Sequence, residues 1–548
     1  MKKNSEKNLK LSDFIPAIIL AFVVSFMLYI FEPIVTYSSS FNDYWFTFKT
    51  LITNNILIFV ILFMCLTIFS LLFYLLCYKI NKKIVWTIYL MIFFIVFVAT
   101  YIQGNYLAGS LPTLDGSPII WSNYTKMGVV SILVWLVLII LNIFLYKKFK
   151  ENYNSIVKYT SLAIFVMLLV SLTNVLVSKK EMYADKGTFT ATVDNINNLS
   201  KNKNFLILLT DCVDSRNFKE LLKKDNNDDV FKDFTYYPDT LSGYGFTRDS
   251  VPFIFSGEWY EAKTSYPEHY QYVITHSKLF DLLKNNDYDI NYYDDELWIF
   301  NNDTYDFKNV RQISGKANLI PFFRQETKYI LFKYLLFPLK KYSKVETMDY
   351  SKCKIELNKD NDGEIYNWSN LKNYELFDKI QLQNNNYFQL VHIEGGHLPY
   401  DLNKNLESID NGTYEDKLES TITIIDKYLT RIKESGQYDN TAIIILSDHG
   451  FSGYDYTGRQ NPILFIKGFN EKHDMQISDK KVSYADLTDI YNDLIDGKKT
   501  NQLLSNITKN RTRRYLFYKN YDKMSEQILD GHAWETEKLK DTGKKYER

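Results

Sequence analysis

Five apolar stretches in the first third of the chain limit what it can become: residues 14–35, 56–78, 84–102, 128–146 and 156–178. A hydrocarbon layer about 30 Å thick is crossed by about 20 apolar residues in a helix. Each stretch is close to that length, and none carries Lys or Arg in its central part. Buried core helices of a water-soluble protein do not come five in series, so these read as transmembrane helices. Residues 14–35 alone would suit a signal peptide. They are long for one, lack a small-residue cleavage site and lead into further spans, so the segment is expected to be retained.

Orientation follows from the short loops. Lys2, Lys3, Lys7 and Lys10 precede the first span, Lys79, Lys82 and Lys83 join the second to the third, and Lys147, Lys148 and Lys150 join the fourth to the fifth. The alternate loops hold only Lys49 and Lys126. The positive-inside rule places the N-terminus in the cytoplasm, and five spans then place everything after Ser178 outside it, at the cell membrane. Lys179 and Lys180 oppose this mildly, but long domains translocate largely regardless of charge.

At 548 residues the chain exceeds one ordinary domain. Its formal net charge of zero gives no electrostatic footprint for nucleic acid. We divide it into a five-span domain (1–180), a polar linker (181–203), an extracytoplasmic domain (204–504) and a charged C-terminal extension (505–548). Cys65 and Cys77 lie in the second span, so Cys212 and Cys353 allow at most one disulfide outside. No Cys pair has metal-binding spacing, and a domain of about 350 residues buries enough core without staples.

Beyond the spans, short apolar runs at 205–209, 388–393, 442–446 and 463–466 are β-branched or aromatic and mostly do not alternate. They suit strands buried on both faces, as in a parallel sheet clad by helices, with 278–284 and 414–433 helical between them. The expected fold is a doubly wound, mostly parallel α/β domain. Ligands gather at the carboxyl ends of such strands. There the chain offers Asp211, then Glu394-Gly395-Gly396-His397, then Ser447-Asp448-His449-Gly450. Two carboxylates and an imidazole from different strands suit a divalent cation. A lone Asp at a strand end is more often a cap or turn former. Asp-His-Gly directly after an apolar strand is more specific, with Gly450 permitting a sharp turn.

Four segments occur in order: Asn204-Phe205-Leu206-Ile207-Leu208-Leu209-Thr210-Asp211, Thr247-Arg248-Asp249-Ser250-Val251-Pro252, His397-Leu398-Pro399 and Ser447-Asp448-His449-Gly450. With five spans ahead of them, they resemble the sulfatase-like branch of the alkaline phosphatase superfamily. Within it, the likeness is to lipoteichoic acid synthases and lipid A phosphoethanolamine transferases. The resemblance implies Thr247 as nucleophile, and Asp211, Thr247, Asp448 and His449 as the site of one divalent metal ion, Mn²⁺ or Zn²⁺. It implies His397 on the substrate side, and His392 likewise in the manner of the phosphoethanolamine transferases. The chemistry agrees, since a Thr hydroxyl needs a cation to stabilise its alkoxide. Ser250-Val251-Pro252 also looks like a helix start, whose N–H groups suit a phosphoryl group.

There are departures. The family usually has Glu where this chain has Asp211. Where the phosphoethanolamine transferases carry a further histidine, this chain has Arg459, Gln460 and Asn461, which weakens the case for a second metal. Its sparse cysteines favour a Gram-positive type of envelope enzyme. Cys212-Val213-Asp214-Ser215-Arg216 is similar to the sulfatase element whose Cys becomes formylglycine. Asp214 breaks that pattern, and the segment sits at a ligand strand end, so Asp214 and Arg216 are read as structural. His269, His276, His473 and His532 carry no motif.

The resemblance implies transfer of a phosphoglycerol or phosphoethanolamine group from a membrane phospholipid to an envelope glycan or lipid, through phospho-Thr247. A phosphodiester or sulfate-ester hydrolase on the same fold remains open. So does a non-catalytic envelope regulator, although the joint presence of Asp211, Thr247, Asp448 and His449 argues against it.

Overall fold

The computed structural model describes residues 9–41, 44–79, 82–112, 119–183, 189–224, 227–294, 304–312, 316–345, 350, 353, 364–367, 379–451, 458–507, 511–520 and 523–547. Lys2, Lys3 and Lys7, used above for orientation, lie outside the described residues. Contacts divide the chain into two units: Met1–Thr188 with Ser314–Ile355, and Phe189–Ile313 with Glu356–Arg548.

The first unit holds five helices long and apolar enough to cross a membrane: Leu11–Ser39, Phe48–Lys79, Lys83–Tyr106, Trp121–Lys148 and Lys150–Ser178. Each contains one expected stretch. The first is the most buried, with small side chains such as Ala17 and Ala21 allowing close approach of its neighbours. It widens to a π turn at Met27–Phe31, just before Pro33. Proline lacks an N–H and crowds the carbonyl four residues earlier, here that of Tyr29, and the wider turn accommodates it. Polar side chains pair between helices, as in Ser131 Oγ to Gln103 Oε1 (2.5 Å) and Tyr153 OH to Asn142 Oδ1 (2.7 Å).

Ser314–Ile355, expected within the outer domain, belongs to this unit. Its helix Leu319–Tyr334 begins at Asn318, whose side chain caps Ile320 N. Lys333 Nζ pairs with Glu32 at 2.7 Å, and Tyr29 OH lies 2.9 Å from Thr327 Oγ1. The contact is apolar as well, for Phe322 packs on Phe46. No local pattern announces this detour, because its partners lie about 300 residues away.

The second unit is built on a seven-stranded sheet. In chain order its strands are β1 (Asn204–Thr210), β2 (Thr235–Tyr236), β3 (Tyr288–Tyr293), β4 (Asn386–Ile393), β5 (Thr441–Ser447), β6 (Leu464–Lys467) and β7 (Gln476–Ile477). They lie in the order β7-β2-β6-β5-β1-β4-β3. All run parallel except β6. The run at 463–466 was expected in a parallel array. It is a strand, but antiparallel to both its neighbours, β5 and β2, a pairing that needs no crossover helix.

Alternate residues of β1 enter opposite cores. Phe205, Ile207 and Leu209 pack with Phe253, Leu279 and Tyr491, while Leu206 and Leu208 pack with Phe218, Ile425 and Leu429. That two-faced burial explains the unbroken apolar runs. The expected helices are present as Lys278–Asn285 and Tyr414–Glu434. The second opens on a capping box between Thr413 and Asp416. The span expected as linker holds strands Phe189–Ala191 and Asn198–Ser200, paired with Val310–Gln312 and Gln381–Gln383. The C-terminal extension forms an antiparallel sheet of Arg513–Asn520, Lys523–Leu529 and Leu539–Glu547.

Candidate metal centre and nucleophile

Register brings the site together. Ser447 of β5, Thr210 of β1 and Ile393 of β4 stand level across the sheet. The next residues, Asp448, Asp211 and Glu394, therefore leave three adjacent strands at one height. Asp211 N–H still donates to Ile393 O (3.2 Å) and Asp448 N–H to Thr210 O (2.9 Å), so both carboxylates stand on paired backbone.

Asp211, Asp448 and His449 are almost wholly buried. His449 Nε2 lies 3.4 Å from Asp448 Oδ2 and 3.9 Å from Asp211 Oδ1. Its Nδ1 lies 2.8 Å from Gly450 O, a contact in which Nδ1 is the donor and Nε2 is left to accept a ligand. Asp211 Oδ1 and Asp448 Oδ2 are buried without a hydrogen-bond partner. Two such oxygens are costly unless a cation completes them. Together with the imidazole nitrogen they form a donor set that fits one divalent metal.

The charges point the same way. Burial works against ionising Asp211, but His397, His449 and His392 outweigh it and hold its carboxyl below the ordinary range. Burial and then the charge of Asp211 push Asp448 up. Without a cation the pair shares its charge unequally, as neighbouring carboxylates do.

Thr247 is the first residue of the ten-residue helix Thr247–Ser256. Its Oγ1 donates to Asp211 Oδ2 at 3.4 Å. Ser250 Oγ, one turn on, donates to Asp448 O at 2.5 Å and ties the helix to the loop that carries Asp448 and His449. The structure thus gathers Asp211, Thr247, Asp448 and His449. His397 is partly exposed, and its donor atoms lie within 4.8 Å of those of Asp211 and Cys212. His392 is buried inside β4, with Nδ1 3.1 Å from Asp294 Oδ2. Burial opposes its charge, but Asp294 and then Asp211 raise its pKa to about 9.

Gly395 and Gly450 are each required by space. Gly395 has φ +57°, and a Cβ there would come within 2.5 Å of Asp211 O. At Gly450, expected to permit a sharp turn, a Cβ would meet Asp214 Oδ2 at 2.7 Å. Cys212 itself has φ +56°. Its thiol is pushed well up by burial and then by Asp211 and Asp448, the opposite of what a thiolate nucleophile needs. It forms no disulfide. Asp214 caps the helix Ser215–Leu222 and holds Arg216 at 2.6 Å, the structural role expected of both.

Other residues carried no signal in the sequence. Arg459 donates to Gly245 O (3.3 Å) and lies over the rings of Phe246 and Phe451. Asn461 donates to Pro238 O and Thr240 O (both 2.9 Å), and Gln460 to Ala533 O. The positions that depart from the histidine pattern thus brace the loop leading into Thr247. The C-terminal sheet joins them, with Leu516 N–H donating to Gly243 O at 2.9 Å. His532 Nδ1 lies 2.6 Å from Asp239 Oδ2, a partner its lack of motif did not suggest.

No family model and no curated protein matches this chain. Among solved structures it is similar to the lipoteichoic acid synthase LtaP from Listeria monocytogenes, at 11% identity over 62% of this chain and 88% of that one, TM-score 0.35. It is similar to a protein in the alkaline phosphatase superfamily from Vibrio parahaemolyticus, at 14% identity over 65% and 85%, TM-score 0.36. It is also similar to a phosphonate monoester hydrolase from Silicibacter pomeroyi, at 12% identity over 62% and 88%, TM-score 0.33. At such identities and scores the likeness fixes neither substrate nor residue roles, and the chemistry of the site stands on the side chains gathered at the ends of β1, β4 and β5.

Proposed function

We propose that the protein is a metal-dependent transferase that moves a phosphoglycerol or phosphoethanolamine group from a membrane phospholipid to an envelope glycan or glycolipid. What carries this reading is the placement of Thr247 Oγ1, 3.4 Å from Asp211 Oδ2 and at a helix N-terminus, beside two unpartnered buried carboxylate oxygens. Five apolar helices on the same chain support a lipid donor, since they tether the site to a bilayer.

Asp211, Asp448 and His449, with the Thr247 oxygen, would hold one Mn²⁺ or Zn²⁺ ion. Such an ion, when bound, neutralises phosphoryl oxygens and favours the alkoxide of Thr247. The chain supplies the positioning that phosphoryl transfer chiefly demands. Donation to Asp211 fixes the Thr247 hydroxyl and leaves oxygen lone pairs for phosphorus. The Thr247 oxygen–phosphorus bond forms as the bond from phosphorus to the diacylglycerol oxygen breaks, and diacylglycerol departs carrying the proton. An acceptor hydroxyl then attacks the same phosphorus, and the Thr247 oxygen leaves and regains a proton. The helix N-terminus favours the anionic group throughout, and partly exposed His397 stands on the substrate side. The scheme is ping-pong.

The test uses purified full-length protein with labelled phosphatidylglycerol and, separately, phosphatidylethanolamine, with Mn²⁺ or Zn²⁺ added. Diacylglycerol release and a phosphorylated peptide containing Thr247 are expected from one of the lipids. No turnover of either, together with wild-type behaviour of Thr247→Ala in cells, would overturn the reading.

A further inference from the structure

The detour of Ser314–Ile355 into the helical unit is strongly basic in this formally neutral chain. Between residues 316 and 345 seven side chains are Lys or Arg and one, Glu326, is acidic. Lys333 pairs with Glu32, and buried Lys340 donates to Phe332 O (2.6 Å). Lys316, Arg324, Lys341 and Lys344 are exposed. Interleaved with them are four exposed apolar side chains, Ile320 (64%), Phe323 (43%), Leu339 (45%) and Tyr342 (66%). Apolar anchors and long basic side chains alternating on one element suit a bilayer interface, where the anchors enter the glycerol level and the cations reach headgroups.

The element's position in its unit agrees. It touches the end of the first helix (Glu32 with Lys333), the approach to the second (Phe46 with Phe322), the end of the third (Gly104 against Tyr334) and the start of the fourth (Ser131 Oγ accepting from Phe337 N). The opposite ends meet one another separately, through Asp13, Trp86 and Asn154. The basic loops with Lys79, Lys82 and Lys83, and with Lys147, Lys148 and Lys150, belong to that opposite end. The detour therefore supplies positive charge to the end of the helices whose own loops nearly lack it.

We propose that residues 316–344 form an interfacial element that binds the headgroups of anionic phospholipids through Lys316, Arg324, Lys341 and Lys344, at the end of the helices opposite the basic loops. The occupant is the bilayer's own anionic lipid. This does not depend on the transferase reading, because it concerns the lipids around the helices and not the reacting one.

The test uses the full-length Thr247→Ala protein, which cannot consume lipid through Thr247, in phosphatidylcholine nanodiscs. These contain either photoactivatable phosphatidylglycerol or photoactivatable phosphatidylcholine. Peptides from 316–344 should be labelled about fivefold or more in favour of phosphatidylglycerol. The excess should vanish in the Arg324→Gln/Lys341→Gln/Lys344→Gln variant, and should fall in about 0.5 M NaCl with the unsubstituted positions, should the triple variant fail to reconstitute. Equal labelling by the two lipids, or an excess that survives both the substitutions and the salt, would overturn the proposal. Because labelling is read without turnover, it can fail while the transferase stands, and the reverse.

Discussion

Arg513 closes on Asp239 with one guanidinium hydrogen bond of 2.8 Å to the carboxylate and one of 2.7 Å to the carbonyl, both side chains buried. It thereby ties the C-terminal sheet to the loop that runs into Thr247. Breaking a buried pair strands its partner charge, here relieved only in part by half-exposed His532. Arg513→Ala is therefore expected to destabilise the second unit by about 3 kcal/mol and to speed amide exchange at residues 239–247, read by hydrogen–deuterium exchange of the full-length protein. Unchanged exchange in that loop would contradict the bracing role.

Thr247→Ala is expected to lower transfer by at least about 10³-fold, because no other hydroxyl replaces the nucleophile. Thr247→Ser keeps the oxygen and should stay within about tenfold of the parent. Single-turnover release of diacylglycerol, with the phosphopeptide as second readout, distinguishes these. An active Ala variant would sink the assignment.

Metal dependence can be tested on the donor set itself. Chelation should abolish activity and Mn²⁺ or Zn²⁺ should restore it, while Asp448→Asn should weaken apparent metal affinity by about 10- to 100-fold or more. Titration of metal against thermal stability gives the affinity without any substrate. Full activity in excess chelator would refute the metal site.

Gly395→Ala meets Asp211 backbone at 2.5 Å in a left-handed conformation. We expect about 1–3 kcal/mol of destabilisation, and weaker metal binding because the strain falls on a ligand residue. Gly436 also has positive φ but opens on empty space, so Gly436→Ala is the control, with backbone strain and no steric contact. Equal metal affinities in the two variants would contradict the close-approach argument.

Glu394 gives a pH dependence. Burial pushes its carboxyl from the ordinary 4.5 up to about 7, with Lys417, 2.9 Å away, pulling back. The folded state thus holds the proton more tightly than the unfolded one. This contribution is whole below about pH 4.5 and is lost as pH rises through about 7, amounting to at most about 3 kcal/mol. Unfolding midpoints of the wild type should fall more between pH 5 and pH 8 than those of Glu394→Gln. Parallel pH curves for the two proteins would show that Glu394 does not titrate in this window.

What the sequence showed of this molecule was what local pattern can carry. Five helices long and apolar enough to cross a membrane announced themselves by length and apolar continuity. Asp211, Asp448 and His449 stood out because they follow unbroken apolar strands in a set, with Asp-His-Gly directly after one of them. The antiparallel sense of Leu464–Lys467 was hidden, since a doubly buried strand reads alike in either direction. The detour of Ser314–Ile355, the Arg513–Asp239 pair and the placement of Arg459 over Phe246 were hidden for another reason. Each joins residues more than 200 positions apart, and neither periodicity nor spacing records such a meeting.

The detour also sets an order of events. It leaves the second unit between β3 and β4, and β4 is the strand that lies between β1 and β3. During synthesis the chain therefore makes this whole segment before it makes the strand that fills the slot in the sheet. Until then Asp211 stands at an open edge, without Gly395 against it. Capacity to hold a metal is thus acquired late, after the segment bound for the helices has already been made.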